Sequence, residues 1–323
     1  MGVFSLIKTY GTLTSFAVLI VLFWVLLPST FMTARNIFNI TQQLSMLAVV
    51  AFSMTVVMAM GDFDLSVGSM ASLSGIVAAV TFKATGSVTL GIGAALATGL
   101  VGGVFNGFLV SFIGILPFVA TLGTLTIFGG LAFLLSGGKT LFGGDIPDSF
   151  SGLARGGLPL WQVGDATVVF PKLTMMAAAV LGLIWYLLEK RVFGRHLYAM
   201  GGNSEAARLA GIRVQEVRLA AFAMAGLGAA MAGLMYAARV ASANPTQGGG
   251  LMLDAIAAVF LGMTISKNGE PKVLNTLVGV LILGVLGNGL TQLSVDSYIR
   301  DILVGSIIIA AVASTSLEKM RHN

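Results

Sequence analysis

The chain has no cysteine, only two histidines and few charged residues, and each shortage removes a class of function. Without cysteine there are no disulfides, no thiolate nucleophiles and no cysteine-held metal centres. His196 and His322 are a meagre supply for metal or triad catalysis. Charged residues make up 10% of the 323 positions, against roughly 25% in a soluble domain, so a hydrated surface cannot be built. What fills the chain instead is 56% hydrophobic residues, with 42 glycines and 16 methionines, at a mean hydropathy of +0.95. That is the composition of helices in lipid that pack through small residues and adaptable apolar contacts. The formal charge of +5 does not mark a nucleic-acid binder, because the basic residues sit between apolar runs rather than on one polar face.

A membrane core of roughly 30 Å takes about 20 apolar residues per helix. Ten segments meet or approach that length: Leu13 to Leu27, Leu44 to Met60, Ser66 to Phe82, Val88 to Ile113, Pro117 to Leu135, Leu173 to Leu188, Val217 to Ala238, Leu253 to Ile265, Val273 to Leu293 and Ile302 to Leu317. The expected fold is all-α, a polytopic transmembrane helical bundle forming one domain over residues 1–323. Met1 to Tyr10 runs into the first segment without a small-residue cleavage site and reads as part of a retained span.

Positive charge sets orientation, since cytoplasmic loops retain Lys and Arg. The connection at about 189–216 and its margin carry Lys190, Arg191, Arg195, Arg208, Arg213 and Arg218, which places it in the cytoplasm. Ten crossings then put both termini inside, with Lys8, Lys267, Lys272, Lys319 and Arg321. The connection at about 136–171 falls outside. It is rich in Gly and Pro, it balances Asp145, Asp148 and Asp165 against Lys139, Arg155 and Lys172, and it offers an external partner a place to dock.

Compared with itself, the chain aligns Gly102, Asn106, Gly107 and Gly123 with Gly284, Asn288, Gly289 and Gly305. The paired Asn-Gly steps carry the signal, because glycine alone matches easily by chance. The alignment sets the fourth span on the ninth and the fifth on the tenth, an odd displacement that reverses direction. The two halves, about 44–136 and 217–317, thus form an expected inverted repeat with a substrate path at their interface.

Between the second and third spans lies Gly61-Asp62-Phe63-Asp64-Leu65-Ser66-Val67-Gly68-Ser69. Carboxylates at membrane depth are costly and face protein or a wet cavity. At a loop, Asp64 or Ser66 caps the next helix. Gly99, Gly103 and Gly107 share one helix face, as do Ala221, Ala225, Ala229 and Gly233; both stripes imply close helix packing. In the cytoplasmic connection, Asn203 or Ser204 can cap a short helix, Glu205 suits its positive end, Ala206 and Ala207 propagate it with Arg208, and Gly211 permits a left-handed stop. So short a helix is marginal alone and needs a partner; lying on lipid headgroups is the alternative.

No catalytic pattern emerges. Gly138-Lys139-Thr140 has the end of a phosphate-binding loop, yet the first glycine of that pattern would fall at Phe133.

Taken together, Gly61 to Ser69, Gly102 to Gly123 and Gly194 to Ile212 resemble the permease subunit of the bacterial ABC importers for simple sugars, the ribose, xylose and arabinose type, over nearly the whole chain. The first stretch is similar to that family's Gly-Gly-Ile-Asp-Leu-Ser-Val-Gly-Ser signature, with Asp62-Phe63 in place of Gly-Ile. The third echoes the coupling motif of importers through Glu205-Ala206-Ala207 and Gly211. A departure lies at Gly262 to Gly269, where relatives carry a glycine-richer loop. The resemblance implies a bacterial inner-membrane protein that pairs with a second permease copy, identical or similar. It also implies a cytoplasmic ABC ATPase that binds the ATP and a periplasmic sugar-binding protein, the permease itself holding no cofactor or metal. Its coupling residues are expected at Asn203, Ser204, Glu205, Ala206, Ala207, Arg208 and Gly211. The translocation pathway is expected near Asp62, Asp64, Ser66, Asn106, Thr121 and Asn288, where uncharged polyols find hydrogen-bond partners. The competing expectation is an ion-coupled secondary transporter with Asp62 or Asp64 as its ion site.

Overall fold

The computed structural model describes residues 3–163, 166–266, 268–307 and 309, with side-chain surroundings described from residue 11 onward apart from residues 163 and 166. Lys267, Asp165, His322, the tail Lys319 and Arg321, and the last part of the tenth expected span lie outside the described residues, as does the side chain of Lys8.

Helices α1 (Val3–Leu26), α2 (Ala34–Ala59), α3 (Val67–Thr85), α4 (Val88–Phe108) and α5 (Pro117–Ser136) lead into a connection holding β1 (Leu141–Phe142), α6 (Asp148–Ser151), β2 (Gly157–Val163) and β3 (Ala166–Pro171). Then follow α7 (Lys172–Lys190), α8 (Val192–Leu209), α9 (Val214–Val240), β4 (Ser242–Ala243), α10 (Leu251–Ile265), α11 (Val273–Gln292) and a helical stretch at 297–307. Among the described residues seven helices, α2, α3, α4 with the π turn Leu109–Ile113 that extends it, α5, α7, α9 and α11, are long and apolar enough to cross a membrane. Gly11–Leu26 and α10 are apolar but shorter. The short, serine-rich third segment is a complete helix of 19 residues.

Helix α2 is the axis of the bundle. Every residue from Leu44 to Ala59 is buried, so this stretch is surrounded on all sides, as a helix apolar all round must be. It packs against α7, α9, α10 and α11. Helix α5, by contrast, exposes Phe118, Val119, Leu122, Ile127 and Leu134 in a run that suits lipid.

The glycine stripe of α4 makes a close contact with α9. Gly99, Gly103 and Gly107 of α4 lie against Gly226, Ala223 and Leu219 of α9. A Cβ at Gly99 would come within 2.5 Å of the Gly226 carbonyl oxygen, and one at Gly107 within 2.8 Å of the Leu219 Cα. The helix backbones therefore touch, which small residues alone permit. Gly233, the end of the second stripe, meets the backbone of Ala71 in α3.

The all-α expectation holds for the bundle, with two small additions. Antiparallel β2 and β3 form a hairpin in the connection at 136–171, and β1 pairs with β4 to tie that connection to the one after α9. Gly157, Pro159 and Pro171 interrupt any periodic signal, so this segment reads as loop. The hairpin is held to the bundle by Trp161 and Phe170, whose rings lie 6.0 and 5.9 Å from that of Phe38.

Candidate functional site

Helix α7 ends at Lys190, Arg191 is extended, and α8 turns back so closely that a Cβ at Gly194 would lie 2.5 Å from the Leu188 carbonyl carbon. Farther along, Gly201 rests on the carbonyl of Ala59, which fixes α8 at the C-terminal end of α2. Asn203 then breaks the helix, with φ −158° and ψ 102°. Its Oδ1 accepts the Ala206 N–H at 2.9 Å, so the piece from Ser204 to Leu209 is a separately capped helix. Its far end closes in a Schellman arrangement: Gly211, at φ +88°, donates to the Arg208 carbonyl at 3.0 Å, and Ile212 to the Ala207 carbonyl at 3.1 Å.

On this helix only Ala207 turns inward, while Glu205, Ala206, Arg208 and Leu209 face outward. Leu209 is 78% exposed. Arg208 forks onto Glu205, Nε to Oε2 at 3.1 Å and Nη2 to Oε1 at 2.6 Å. Those hydrogen bonds, and then the guanidinium charge, hold the Glu205 carboxyl below its ordinary range. Upstream, Tyr198 donates to the Pro271 carbonyl at 3.0 Å, clamping α8 to the connection between α10 and α11. Burial, then the charges of Glu189 and Glu270, push the Tyr198 phenol above its ordinary range.

The six expected pathway residues do not form one seam. Asp64, Ser66 and Asn106 form a buried chain: Asp64 Oδ1 accepts the Ser66 N–H at 2.9 Å and its hydroxyl at 2.6 Å, and Asn106 Nδ2 donates to Ser66 Oγ at 2.8 Å. Asp64 thus closes the turn before α3, whereas the Ser66 side chain makes no bond to the helix N–H groups. Asp62, two residues earlier, pairs instead with Arg218 of α9, Nε to Oδ2 at 2.9 Å. Thr121 is fully buried and returns its hydroxyl to the Pro117 carbonyl of its own helix at 2.8 Å.

Asn288 lies elsewhere. It exchanges amide hydrogen bonds with Asn36, at 3.1 and 3.2 Å, and accepts from Gln292 at 2.7 Å. Asn36 opens α2, whose 26 residues rise about 39 Å at 1.5 Å each, so this amide pair is at the opposite end of the bundle from α8.

A turn like that of Asp64 precedes α10. Asn244 Oδ1 accepts the Thr246 N–H and the Thr246 hydroxyl, both at 2.8 Å. The two turns bring the starts of α3 and α10 together: Gly68 and Gly248 meet backbone to backbone, and Gly248 N–H donates to Ser72 Oγ at 2.9 Å.

Several polar residues in the bundle escaped the sequence reading. Asp254 at the start of α10 accepts from Arg300 Nη2 at 2.6 Å, and Arg239 lies near the end of α9. The signal was available, since a carboxylate inside an apolar span is as informative at 254 as at 62.

A bundle of helices long and apolar enough to cross a membrane, with a separately capped, outward-facing helix at one end, is the architecture of a multi-pass membrane protein. The chain belongs to the family described as branched-chain amino acid transport system / permease component, which matches residues 36–312. It is 36% identical to the ribose import permease protein RbsC of Bacillus subtilis, an alignment covering 95% of this chain and 92% of that one. It is 37% identical to RbsC of Escherichia coli K12, over 93% and 91% of the two chains. The L-arabinose transport system permease protein AraH of Escherichia coli K12 is 36% identical over 94% and 89%. A solved structure described as an inward-facing conformation of a metal-chelate type ABC transporter shares the fold, with a TM-score of 0.53 at 14% identity, over 95% of this chain and 99% of that one. The chain is an ABC importer permease of the inner membrane, is not itself catalytic, and works with an ATPase and a substrate-binding protein.

Proposed function

We propose that the chain carries a monosaccharide or related small polyol from periplasm to cytoplasm. A cytoplasmic ATPase seated on the helix from Ser204 to Leu209 drives it, and a periplasmic sugar-binding protein loads it. The observation that carries this reading is full-length similarity above one-third identity to permeases named for ribose and for arabinose. The capped helix supports the docking assignment: Asn203, Ser204, Glu205, Ala206, Ala207, Arg208 and Gly211 build a rigid projection with Glu205, Arg208 and Leu209 outermost. ATP binds in the partner, and the permease itself holds no cofactor.

The bundle is read as two inverted half-repeats, about 44–136 and 217–317, in ten crossings with both termini inside. Helices α2, α3 and α4 recur in order as α9, α10 and α11, and the Asp64–Ser66 and Asn244–Thr246 turns are bonded alike. A second permease copy, identical or similar, completes the path, and lipid covers α5. The ion-coupled reading loses ground on one point: Asp62 is paired with Arg218 and Asp64 is held by Ser66, so neither carboxylate is free for an ion.

The test is uptake of labelled D-ribose and L-arabinose into proteoliposomes holding the permease with its ATPase and binding protein. Uptake that needs all three and ATP is expected. Accumulation by the permease alone on an imposed ion gradient overturns the reading.

A further inference from the structure

Helix α7 leads into the arm that carries the capped helix, and its faces differ. Leu173, Ala177, Val180, Ile184 and Leu188 are buried against the bundle, α2 above all. Met176, Ala179, Leu183 and Tyr186 lie three and four residues apart on another face and are exposed. On a helix of this length and hydropathy, such a stripe meets lipid. The 19 residues of α7 rise about 28 Å, close to the roughly 30 Å of a hydrocarbon core, so Lys172 and Lys190 at its two ends stand at headgroup level.

At the Lys190 end, aromatic rings and cations meet. Lys190 Nζ lies 5.2 Å from the centre of the Trp185 ring, and the guanidinium carbon of Arg191 lies 4.7 Å from that of Tyr186. Rings at this depth form the belt between hydrocarbon and water. They attract a cation to their face, and a guanidinium over a ring keeps N–H groups at its edge for an oxyanion. Arg195 follows in the first turns of α8 and is exposed. Lys190, Arg191 and Arg195 make no ion pair among the described residues. Glu189 is the single carboxylate between residues 185 and 196, so the corner carries an excess of positive charge.

The corner is also joined to the arm beyond it. Gly194 abuts Leu188 across the turn and Gly201 rests on Ala59, so α8 runs as one helix from Val192 to the break at Asn203. The cations stand at the root of this arm, and the proposed ATPase seat is at its tip.

We propose that the α7–α8 corner binds an anionic phospholipid, its phosphate held by Lys190, Arg191 and Arg195 and its chains lying along Met176, Ala179, Leu183 and Tyr186. The bound lipid braces the root of α8 and so strengthens coupling to the ATPase. A zwitterionic lipid carries its own ammonium beside the phosphate, and an excess of cations on the protein therefore selects the anionic one. A soluble phosphate leaves the apolar stripe that leads into the cations uncovered, whereas acyl chains cover it.

The permease is first taken from vesicles of phosphatidylcholine and phosphatidylglycerol into a neutral detergent, and the retained lipids are counted by native mass spectrometry. Wild type should keep phosphatidylglycerol in preference. Lys190→Gln with Arg191→Gln should weaken that preference about thirtyfold, the effect of two cations at an anionic surface. Lys190→Arg with Arg191→Lys should preserve it, and so should Lys139→Gln with Arg155→Gln, which removes the same charge from the 136–171 connection. In phosphatidylcholine vesicles, ATP hydrolysis by the permease–ATPase complex should rise on adding phosphatidylglycerol. The double glutamine variant should lose that rise while still co-sedimenting the ATPase. Equal retention of the two lipids by wild type overturns the site, whether or not the variants fold, and displacement of the lipid by glycerol 3-phosphate assigns the cations to soluble phosphate instead. Loss of ATPase co-sedimentation in pure phosphatidylcholine assigns them to ATPase docking and overturns the lipid reading. Hydrolysis indifferent to phosphatidylglycerol, with retention intact, overturns the bracing role alone. Retention is independent of which substrate the importer carries.

Discussion

Gly68 and Gly248 stand backbone to backbone where α3 and α10 begin, and a Cβ at Gly68 would lie 2.6 Å from the Gly248 carbonyl oxygen. Each glycine follows a turn closed by a side chain onto its own backbone, Asp64 onto Ser66 in one case and Asn244 onto Thr246 in the other. The meeting of these two helix starts joins the first half of the bundle to the second.

Gly68→Ala therefore has nowhere to place its methyl group except by parting α3 from α10. Overpacking of a dense core costs about 1–3 kcal/mol. The expected outcome is a lower Tm of the purified permease and reduced folded yield in the membrane. Gly123→Ala, on α5 where a Cβ meets nothing within 4 Å, should leave both unchanged.

The Asp62–Arg218 pair predicts asymmetric costs. Removing the cation strands a mostly buried carboxylate, and breaking a buried pair by deleting one partner costs about 3–5 kcal/mol. The residual exposure of Arg218, 21% of its side chain, discounts this toward the lower end. Arg218→Gln should sharply lower folded yield, and Asp62→Asn added to it should restore much of the loss. A double variant no better than Arg218→Gln alone sinks the pairing.

What the sequence disclosed and what it hid follow from range. The cap at Asn203, the left-handed stop at Gly211 and the glycine stripe of α4 depend on neighbours within a helical turn or two, and all three were readable. Residues 62 and 218 are far apart in the chain, as are 254 and 300, and 36 and 288. No periodicity links them, so the sequence does not connect Arg218 with Asp62 or Asn36 with Asn288, and it sets Asp62 and Asn288 in one expected seam. Structure instead puts Asp62 at the α8 end of the bundle and Asn288 at the other. The hairpin at 157–171 was hidden for a different reason, since its prolines mask the alternation and it is fixed by Phe38 of α2.

On the capped helix, stability and coupling should separate. Glu205 and Arg208 are both more than 60% exposed, and solvent and salt screen such a pair so that it adds little to stability. Glu205→Lys with Arg208→Glu should leave folded yield unchanged while abolishing stimulation of the ATPase by the loaded binding protein. The pair also sets a pH direction. Because the Glu205 carboxyl is held below its ordinary range, its charged contact persists above that range and is lost as pH falls through the lowered value. Docking measured by co-sedimentation of the ATPase with permease vesicles should weaken on acidification in the wild type, and the Glu205→Gln variant should remove this step of the profile.

Tyr198 and the cap at Asn203 allow a finer test of how motion passes from α8 to the bundle. The Tyr198 hydroxyl binds the Pro271 carbonyl, which belongs to the connection between α10 and α11, so a displaced α8 pulls on the second half as well as on α2. Tyr198→Phe deletes that single bond while keeping the ring, at a cost of about 0.5–1.5 kcal/mol. Asn203→Ala removes the cap and costs about 0.5–2 kcal/mol of local helix stability. If α8 transmits the stroke, Tyr198→Phe should keep ATPase docking and hydrolysis yet lower the ratio of sugar transported to ATP consumed. Asn203→Ala should weaken docking first, because the helix proposed to seat the ATPase is then frayed. Equal loss of docking and transport ratio in both variants would instead mean that the two residues act only in holding α8 folded, and the Tyr198 contact would then have no separate part in coupling.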